Sequence, residues 1–67
     1  PAWLSAANEV AVEAFLAGSI RWVDIGEVVD AALQRWPGSP ASDVDAVLAA
    51  DAQARDVASA VISAKMA

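Results

Sequence analysis

The sequence predicts an all-α fold, a small bundle of three to four helices that forms one domain over residues 1–67. Three observations lead to this prediction. Apolar residues recur at helical spacing in each third of the chain. A glycine follows the first of these segments, and a Pro-Gly-Ser-Pro run follows the second. No stretch alternates between apolar and polar residues for long enough to require a strand.

The first helix is predicted from Ala2 or Trp3 to Ala17, and Gly18 stands where a left-handed residue would end it. Its apolar face is broad, and the small residues in that face would let another helix approach closely. The face comprises Trp3, Leu4, Ala7, Val10, Ala11, Ala14 and Phe15.

The opposite side of this helix is not cleanly polar, because Val12 and Leu16 fall among its charged residues. We therefore expect the helix to pack on most of its circumference, against more chain than 67 residues supply. Asn8 would be buried on such a helix and would need a hydrogen-bond partner.

The second helix has the clearest start signal, after an extended connector over residues 19–23. Asp24 is the predicted N-cap, Glu27 completes a capping box, and Val23 with Val28 would form a hydrophobic staple. The stripe that follows comprises Ile25, Val28, Val29, Ala32, Leu33 and Trp36. The Pro-Gly-Ser-Pro run then forms a loop between helices.

The last third of the chain is helical, and Asp51 leaves its continuity open. One interpretation is a single long helix in which Asp51 pairs with Arg55; the other is a helix that ends near Ala50 and a new one that Asp51 caps from Ala52. We favour the second, which keeps three residues on the inner face: Val57, Val61 and Ile62. We also expect Ser42 to cap the first of these helices and residues 63–67 to fray.

Composition excludes several classes of function. The chain has no Cys and no His, and nine acidic residues against four basic ones give a net charge of −5. Disulfides, thiol catalysis and the usual zinc sites are therefore excluded, and scattered basic residues predict no nucleic-acid binding. No segment predicts a membrane span or a signal peptide, so we expect a cytoplasmic protein.

The acidic residues form no recognisable metal or acid–base site. Glu9 and Glu13 share a helical face, but without a third ligand they are better explained as solvated carboxylates. Asp43, Asp45 and Asp51 lack the central Gly and final Glu of a calcium loop, and Asp43 is better explained as a helix-start acid.

The remaining candidates are equally weak. Ser19 follows a helix stop, whereas the prosthetic-group serine of acyl carrier proteins begins a helix in an Asp-Ser-Leu motif. Trp3, Trp22 and Trp36 are better interpreted as packing anchors than as ligand stackers. We therefore predict no catalytic, cofactor-binding or metal-binding residue in this chain.

Three segments resemble one enzyme family. Residues 1–12, PAWLSAANEVAV, are similar to the APAVLNAANEVAV stretch of 1-deoxy-D-xylulose 5-phosphate reductoisomerases, and residues 14–18 continue the match. Residues 20–25, IRWVDI, resemble the family's IRFLDI, and residues 45–55 resemble its closing D-x-V-L-x-x-D-A-x-A-R segment. The chain departs from the family pattern at two positions: Ser5, where Asn is usual, and Gly26.

The resemblance implies that the chain corresponds to part of the C-terminal helical bundle of such an enzyme, without the catalytic and NADPH-binding domains. The family rearranges and reduces its substrate with NADPH and a divalent metal (Mg or Mn), in the non-mevalonate route to isoprenoids. The parent is implied to be a homodimer, and the partner of this segment is the catalytic domain of its own chain. The functional residues of the family lie upstream of the matched segments, so none is carried over to this sequence.

Two hypotheses follow. In the first, the chain is a structural C-terminal domain, inactive alone, whose core supports the catalytic domain; that predicted core comprises Leu4, Val10, Phe15, Val28, Leu33, Val47 and Val61. In the second, it is an autonomous acidic helical module that binds a partner protein through its first helix. A third interpretation, an acyl carrier modified at Ser19, carries little weight.

Overall fold

The computed structural model describes residues 2–38 and 43–66, and this part of the chain forms three α-helices. Helix α1 spans Ala2–Leu16, α2 spans Asp24–Gln34 and α3 spans Val44–Met66. All three pack on one another. The predicted all-α bundle is confirmed, with three helices over the described residues. None of these helices is long and apolar enough to cross a membrane.

The helices alternate in direction. Trp3, in the first turn of α1, shares a buried cluster with Ala54 of α3, whereas the later α1 residue Ala11 clusters with Ile62. Helices α1 and α3 therefore run the same way. Helix α2 runs in the opposite direction, because its last turn lies against Trp3 and its first turn lies near the end of α3.

Alanine dominates the core. Among residues 2–38 and 43–66, six of the ten buried hydrophobic side chains are alanines, each at most 1% exposed, and Val28 is the largest side chain that is fully buried. Interaxial distance depends on the side chains at the contact, so alanine lets helices approach closely. These alanines are Ala6, Ala7, Ala11, Ala32, Ala54 and Ala58. The small residues of α1 were predicted to let another helix approach closely, and these buried alanines account for that approach.

Trp3 anchors the end of the bundle where α1 begins. Its ring is buried, and its indole Nε1–H donates a hydrogen bond of 2.8 Å to the backbone carbonyl of Ala32. A buried tryptophan needs a partner for this group. Trp22, in contrast, is 71% exposed and Trp36 is also exposed. The prediction that all three tryptophans are packing anchors is correct for Trp3 and wrong for Trp22.

Helix α1 ends at Leu16, one residue before the predicted Ala17, and Gly18 terminates it as predicted. Gly18 has a φ of 81°. Its N–H donates to the carbonyl of Phe15, and the N–H of Ser19 donates to the carbonyl of Ala14. These two bonds define a Schellman motif, which satisfies carbonyls that the last turn would otherwise leave unpaired.

The predicted start of α2 is wrong in detail. Val23 already has helical backbone angles, and Asp24 makes no capping bond to the helix that follows. Instead, the Asp24 carboxylate accepts the backbone N–H of Arg21, and the Asp24 N–H donates to the Arg21 carbonyl. The turn begins three residues earlier than predicted, so the connector is not extended throughout. Val23 is exposed, which excludes the packed pair that a staple with Val28 requires.

Helix α3 is continuous, so the favoured break near Ala50 is wrong. Asp51 pairs with Arg55 one turn later, at 2.8 Å, and this pair removes the need for a second cap. The helix is capped instead by Asp43, whose carboxylate accepts the N–H of Ala46 at 2.7 Å. Ser42, the predicted cap, lies outside the described residues.

Several predictions of burial and order fail. Residues 63–66 are helical and not frayed, while Ala67 lies outside the described residues. Leu4 and Val47, both predicted in the core, are exposed. Leu4 lies about 100° round α1 from the buried Trp3, and Val47 lies before Ala54, where the first turn of α1 packs on α3. Asn8 is exposed and needs no buried partner.

The alanine core makes a stability prediction. Ala58→Leu adds three carbon atoms where Ala58 is fully buried, and overpacking of this kind costs about 1–3 kcal/mol or more. For a domain of this size, thermal melts followed by circular dichroism should show the midpoint falling by about 4–8 °C per kcal/mol. Ala60→Leu, at an exposed position of the same helix, is the matched control and should change the midpoint little. Equal effects of the two changes would contradict the close-packed arrangement.

Candidate functional site

A cluster of charged side chains joins the start of α2 to the end of α3. The buried carboxylate of Asp24 accepts the backbone N–H of Arg21 at 2.8 Å and lies 3.4 Å from the Arg21 guanidinium. The Nζ of Lys65 lies 3.7 Å from the other Asp24 oxygen and is bonded to the carboxylate of Glu27. This arrangement holds the last turn of α3 against α2.

These contacts stabilise the charged form of each group. The backbone N–H of Arg21, and then its guanidinium, hold the pKa of Asp24 below its ordinary value. The hydrogen bond to Glu27 is the main cause that raises the pKa of Lys65. Neither group is left poised near neutral pH, as a general acid or base would need to be.

A second cluster joins α1 to α3 on the bundle surface. The guanidinium of Arg55 binds Asp51, one turn away on α3, and also Glu9 on α1. The hydrogen bonds to Asp51 and then Glu9 raise the pKa of Arg55. Glu9 is therefore committed to an ion pair, while Glu13 lies exposed. The alternative of a Glu9–Glu13 catalytic pair finds no support in this geometry.

The other sequence candidates are not brought together. Asp43 caps α3, Asp45 is exposed and Asp51 is paired. No group of three or more potential ligands in residues 2–38 and 43–66 could hold a metal ion. Ser19 is exposed after the end of α1, and its N–H completes the Schellman motif.

Large apolar side chains lie exposed at the start of α3. Val44 is 74% exposed, Leu48 is 62% exposed and Val47 is also exposed. We call these three residues the α3 apolar surface. Leu4 of α1 and Trp36, which follows α2, are exposed at the same end of the bundle.

Sequence reasoning missed both the Lys65 cluster and the α3 apolar surface. Lys65 and Glu27 are 38 residues apart, so no local pattern could have paired them. The apolar surface did have a signal, because Val44, Val47 and Leu48 start a helical stripe. Of these three residues only Val47 was predicted in the core, and no helix of the described residues covers them.

Comparison with known proteins connects this fold to one family. The family model described as DXP reductoisomerase C-terminal domain matches residues 1–57. The chain is 54% identical over 67 residues to the 1-deoxy-D-xylulose 5-phosphate reductoisomerase of Cupriavidus taiwanensis. The aligned segment is 100% of this chain and 17% of that protein. For the protein of the same name from Ralstonia nicotianae, identity is 55% over 64 residues, 96% of this chain and 16% of the relative.

A third relative, the 1-deoxy-D-xylulose 5-phosphate reductoisomerase of Pseudomonas fluorescens, is 52% identical over 58 residues, 87% of this chain and 15% of that protein. The chain thus spans about a sixth of the length of the curated relatives it matches. The comparison with solved structures found no match.

The environment of Asp24 predicts a specific pH dependence. Because its pKa is lower in the folded chain than the unfolded value of about 3.9, its contribution to stability is present above about pH 4 and is lost as the pH falls through the folded pKa. Asp24→Asn should therefore lower the thermal midpoint at neutral pH, and the difference from the unchanged chain should shrink in acid.

Asp56→Asn, at an exposed position of α3, is the control and should show little difference at any pH. A deficit in Asp24→Asn that stayed constant from neutral pH into acid would contradict the assigned role of the carboxylate.

Proposed function

Because the chain belongs to the DXP reductoisomerase C-terminal domain family, we propose that it acts as the structural C-terminal domain of a 1-deoxy-D-xylulose 5-phosphate reductoisomerase. In this role it supports the catalytic domain and is not catalytic by itself. The whole enzyme would convert 1-deoxy-D-xylulose 5-phosphate with NADPH into 2-C-methyl-D-erythritol 4-phosphate, in the non-mevalonate route to isoprenoids. The match of the family model to residues 1–57 is the observation that carries the proposal.

The side-chain chemistry of the bundle supports a structural role. Its carboxylates at helix contacts are held by cations: Glu9 and Asp51 by Arg55, and Asp24 and Glu27 by Lys65. Each of these bonds fixes one helix to another or closes a turn. Groups engaged in this way position helices and are not free to move protons on a substrate.

The cofactors are proposed to bind elsewhere in the enzyme. A divalent metal such as Mg²⁺ or Mn²⁺ needs several converging oxygen ligands, and the residues described here do not fit that requirement. We therefore assign NADPH and the metal to the remainder of the parent chain. We further propose that the parent is a cytoplasmic homodimer that binds neither nucleic acid nor membrane.

One observation favours a second candidate. The exposed side chains of Val44 and Leu48 would also suit an autonomous acidic module that binds another protein. The two candidates differ in what the bundle does inside a reductoisomerase chain. Only a structural domain of that enzyme should substitute for the corresponding segment of a relative.

A chimera tests the proposed function. The 67 aligned residues of the Cupriavidus taiwanensis enzyme are replaced by this chain, and substrate-dependent oxidation of NADPH is measured. Because the identity is 54% with no part of this chain unmatched, kcat/KM should stay within about tenfold of the parent, which is about 1.4 kcal/mol in barrier height.

Replacement of the same segment by a Gly/Ser linker of equal length is the control, and it should abolish activity. A chimera that is soluble and folded but inactive would overturn the proposal. Activity that survives the linker replacement would also overturn it, because the bundle would then support nothing.

A further inference from the structure

We propose that the α3 apolar surface is the face on which this bundle docks against the catalytic domain of a reductoisomerase chain. This inference rests on the proposed function and adds to it a location. The proposed contact residues are Val44, Val47 and Leu48.

Val44 and Val47 continue the stripe by which α3 packs, and Leu48 adjoins Val44 one turn along the helix. Further along the helix, Ala54, Ala58 and Ile62 are buried at four-residue intervals. Positions seven and ten residues before Ala54 are Val47 and Val44, and helical geometry places residues at such intervals on one face. One continuous face of α3 is therefore buried along its second half and exposed along its first two turns.

Helix length explains why this part of the stripe is uncovered. Helix α3 has 23 residues and α1 has 15. The eight-residue difference corresponds to about 12 Å at 1.5 Å per residue. The two helices run in the same direction, and the first turn of α1 packs at Ala54. The first turns of α3 thus project past the start of α1, and within the described residues the projection has no helix beside it.

The neighbouring side chains give the surface a defined chemistry. Leu4 and Trp36 extend the apolar area at the same end of the bundle. Asp43 and Asp45 are exposed beside it on the α3 side, whereas Arg35 is exposed on the α2 side. An apolar centre with a polar rim is the usual anatomy of a protein interface. The matching surface should be apolar, with a cation opposite the start of α3 and an anion opposite the end of α2.

The relatives indicate which polypeptide occupies the surface. Between 83% and 85% of the length of each relative reported above lies outside the matched segment, given matched shares of 17%, 16% and 15%. In those chains a bundle of this kind is covalently joined to a much larger body. The family match, residues 1–57, includes the whole α3 apolar surface. The catalytic body of the same chain is therefore the occupant we propose.

The other exposed apolar group is less suited to docking. Leu16, 76% exposed, lies with Trp22 and Val23 at the opposite end of the bundle, next to the Arg21–Asp24 ion pair. Trp22 and Val23 lie in the turn before α2, so the group does not continue a buried helical stripe. Leu16 therefore provides a matched control: a large, exposed apolar residue on a helix, away from the proposed interface.

The test uses the full-length chimera described above. In one variant Val47→Asp and Leu48→Asp are combined, and in the control Leu16 is changed to Asp. Aspartate in the first two turns of a helix interacts favourably with the helix dipole, so α3 itself should still form. We expect the double variant to lower kcat/KM at least tenfold, to separate a distinct unfolding transition for the bundle and to speed proteolytic release of the bundle. Leu16 is the last residue of α1, where the helix dipole disfavours aspartate, so the Leu16→Asp control should lose a little stability but show no separate unfolding transition, no faster proteolysis and no tenfold loss of kcat/KM.

A milder pair, Val47→Ala with Leu48→Ala, covers the case in which the double aspartate variant does not fold. This pair should change kcat/KM, unfolding and proteolysis in the same direction, with a smaller magnitude. The proposal is overturned if the Val47 and Leu48 variants leave both unfolding and proteolysis unchanged, or if Leu16→Asp matches their effect. It is also overturned if they convert a dimer to a monomer without separating the unfolding transitions, because a second copy would then be the occupant.

Failure of the proposed function gives a different result. The unmodified chimera would then be inactive, whatever the variants do. The unfolding and proteolysis measurements do not depend on activity, so the docking surface is still tested in that case.

Discussion

The close approach of three helices across alanine is the constraint on which this fold depends. Ala7 and Ala11 of α1, Ala32 of α2 and Ala58 of α3 are completely buried, and the indole of Trp3 closes one end of the contact. A buried CH₂ or CH₃ group contributes roughly 0.8 kcal/mol, and a larger aliphatic side chain about 1.5–3 kcal/mol. An alanine core therefore supplies little hydrophobic stabilisation per residue. Its advantage is geometric, because the helix backbones come close enough for contacts that larger residues would prevent.

The ion pairs complement this packing by fixing how the helices are set against one another. Arg55 ties α3 to Glu9 of α1, and Lys65 ties α3 to Glu27 of α2. Water screens exposed pairs of this kind and leaves them little net free energy, so their main effect is on register and not on total stability. Asp24 differs because its carboxylate is buried and closes the turn before α2. The bundle thus combines a core of small side chains with polar contacts between α3 and each of the other two helices.

Local signals in the sequence were enough to predict the helices. They were not enough to predict every helix end or which side chains pair between helices. The Gly18 stop was correctly predicted, because a Schellman motif depends on neighbouring residues alone. The break predicted at Asp51 was wrong, since a polar residue in an apolar stripe can be satisfied by a pair one turn away as well as by a new cap. Lys65 was predicted in a fraying segment because its partners are distant in sequence. For the candidate site, the reductoisomerase resemblance was confirmed, whereas Val47 was placed in a core that ends before reaching it.

The distribution of side-chain size explains why such a domain suits attachment to a larger body. Small residues fill the interior, while large apolar residues at the start of α3, including Val44 and Leu48, lie outside. A free-standing domain gains most by burying its largest apolar groups, so this distribution is unfavourable for an isolated chain. It becomes favourable where other polypeptide covers the outer residues, because the burial that the bundle lacks internally is then supplied at its surface. The interior and the exterior of the bundle thus have different roles. The alanine core sets the distances between the helices, and the exposed start of α3 provides the area for contact.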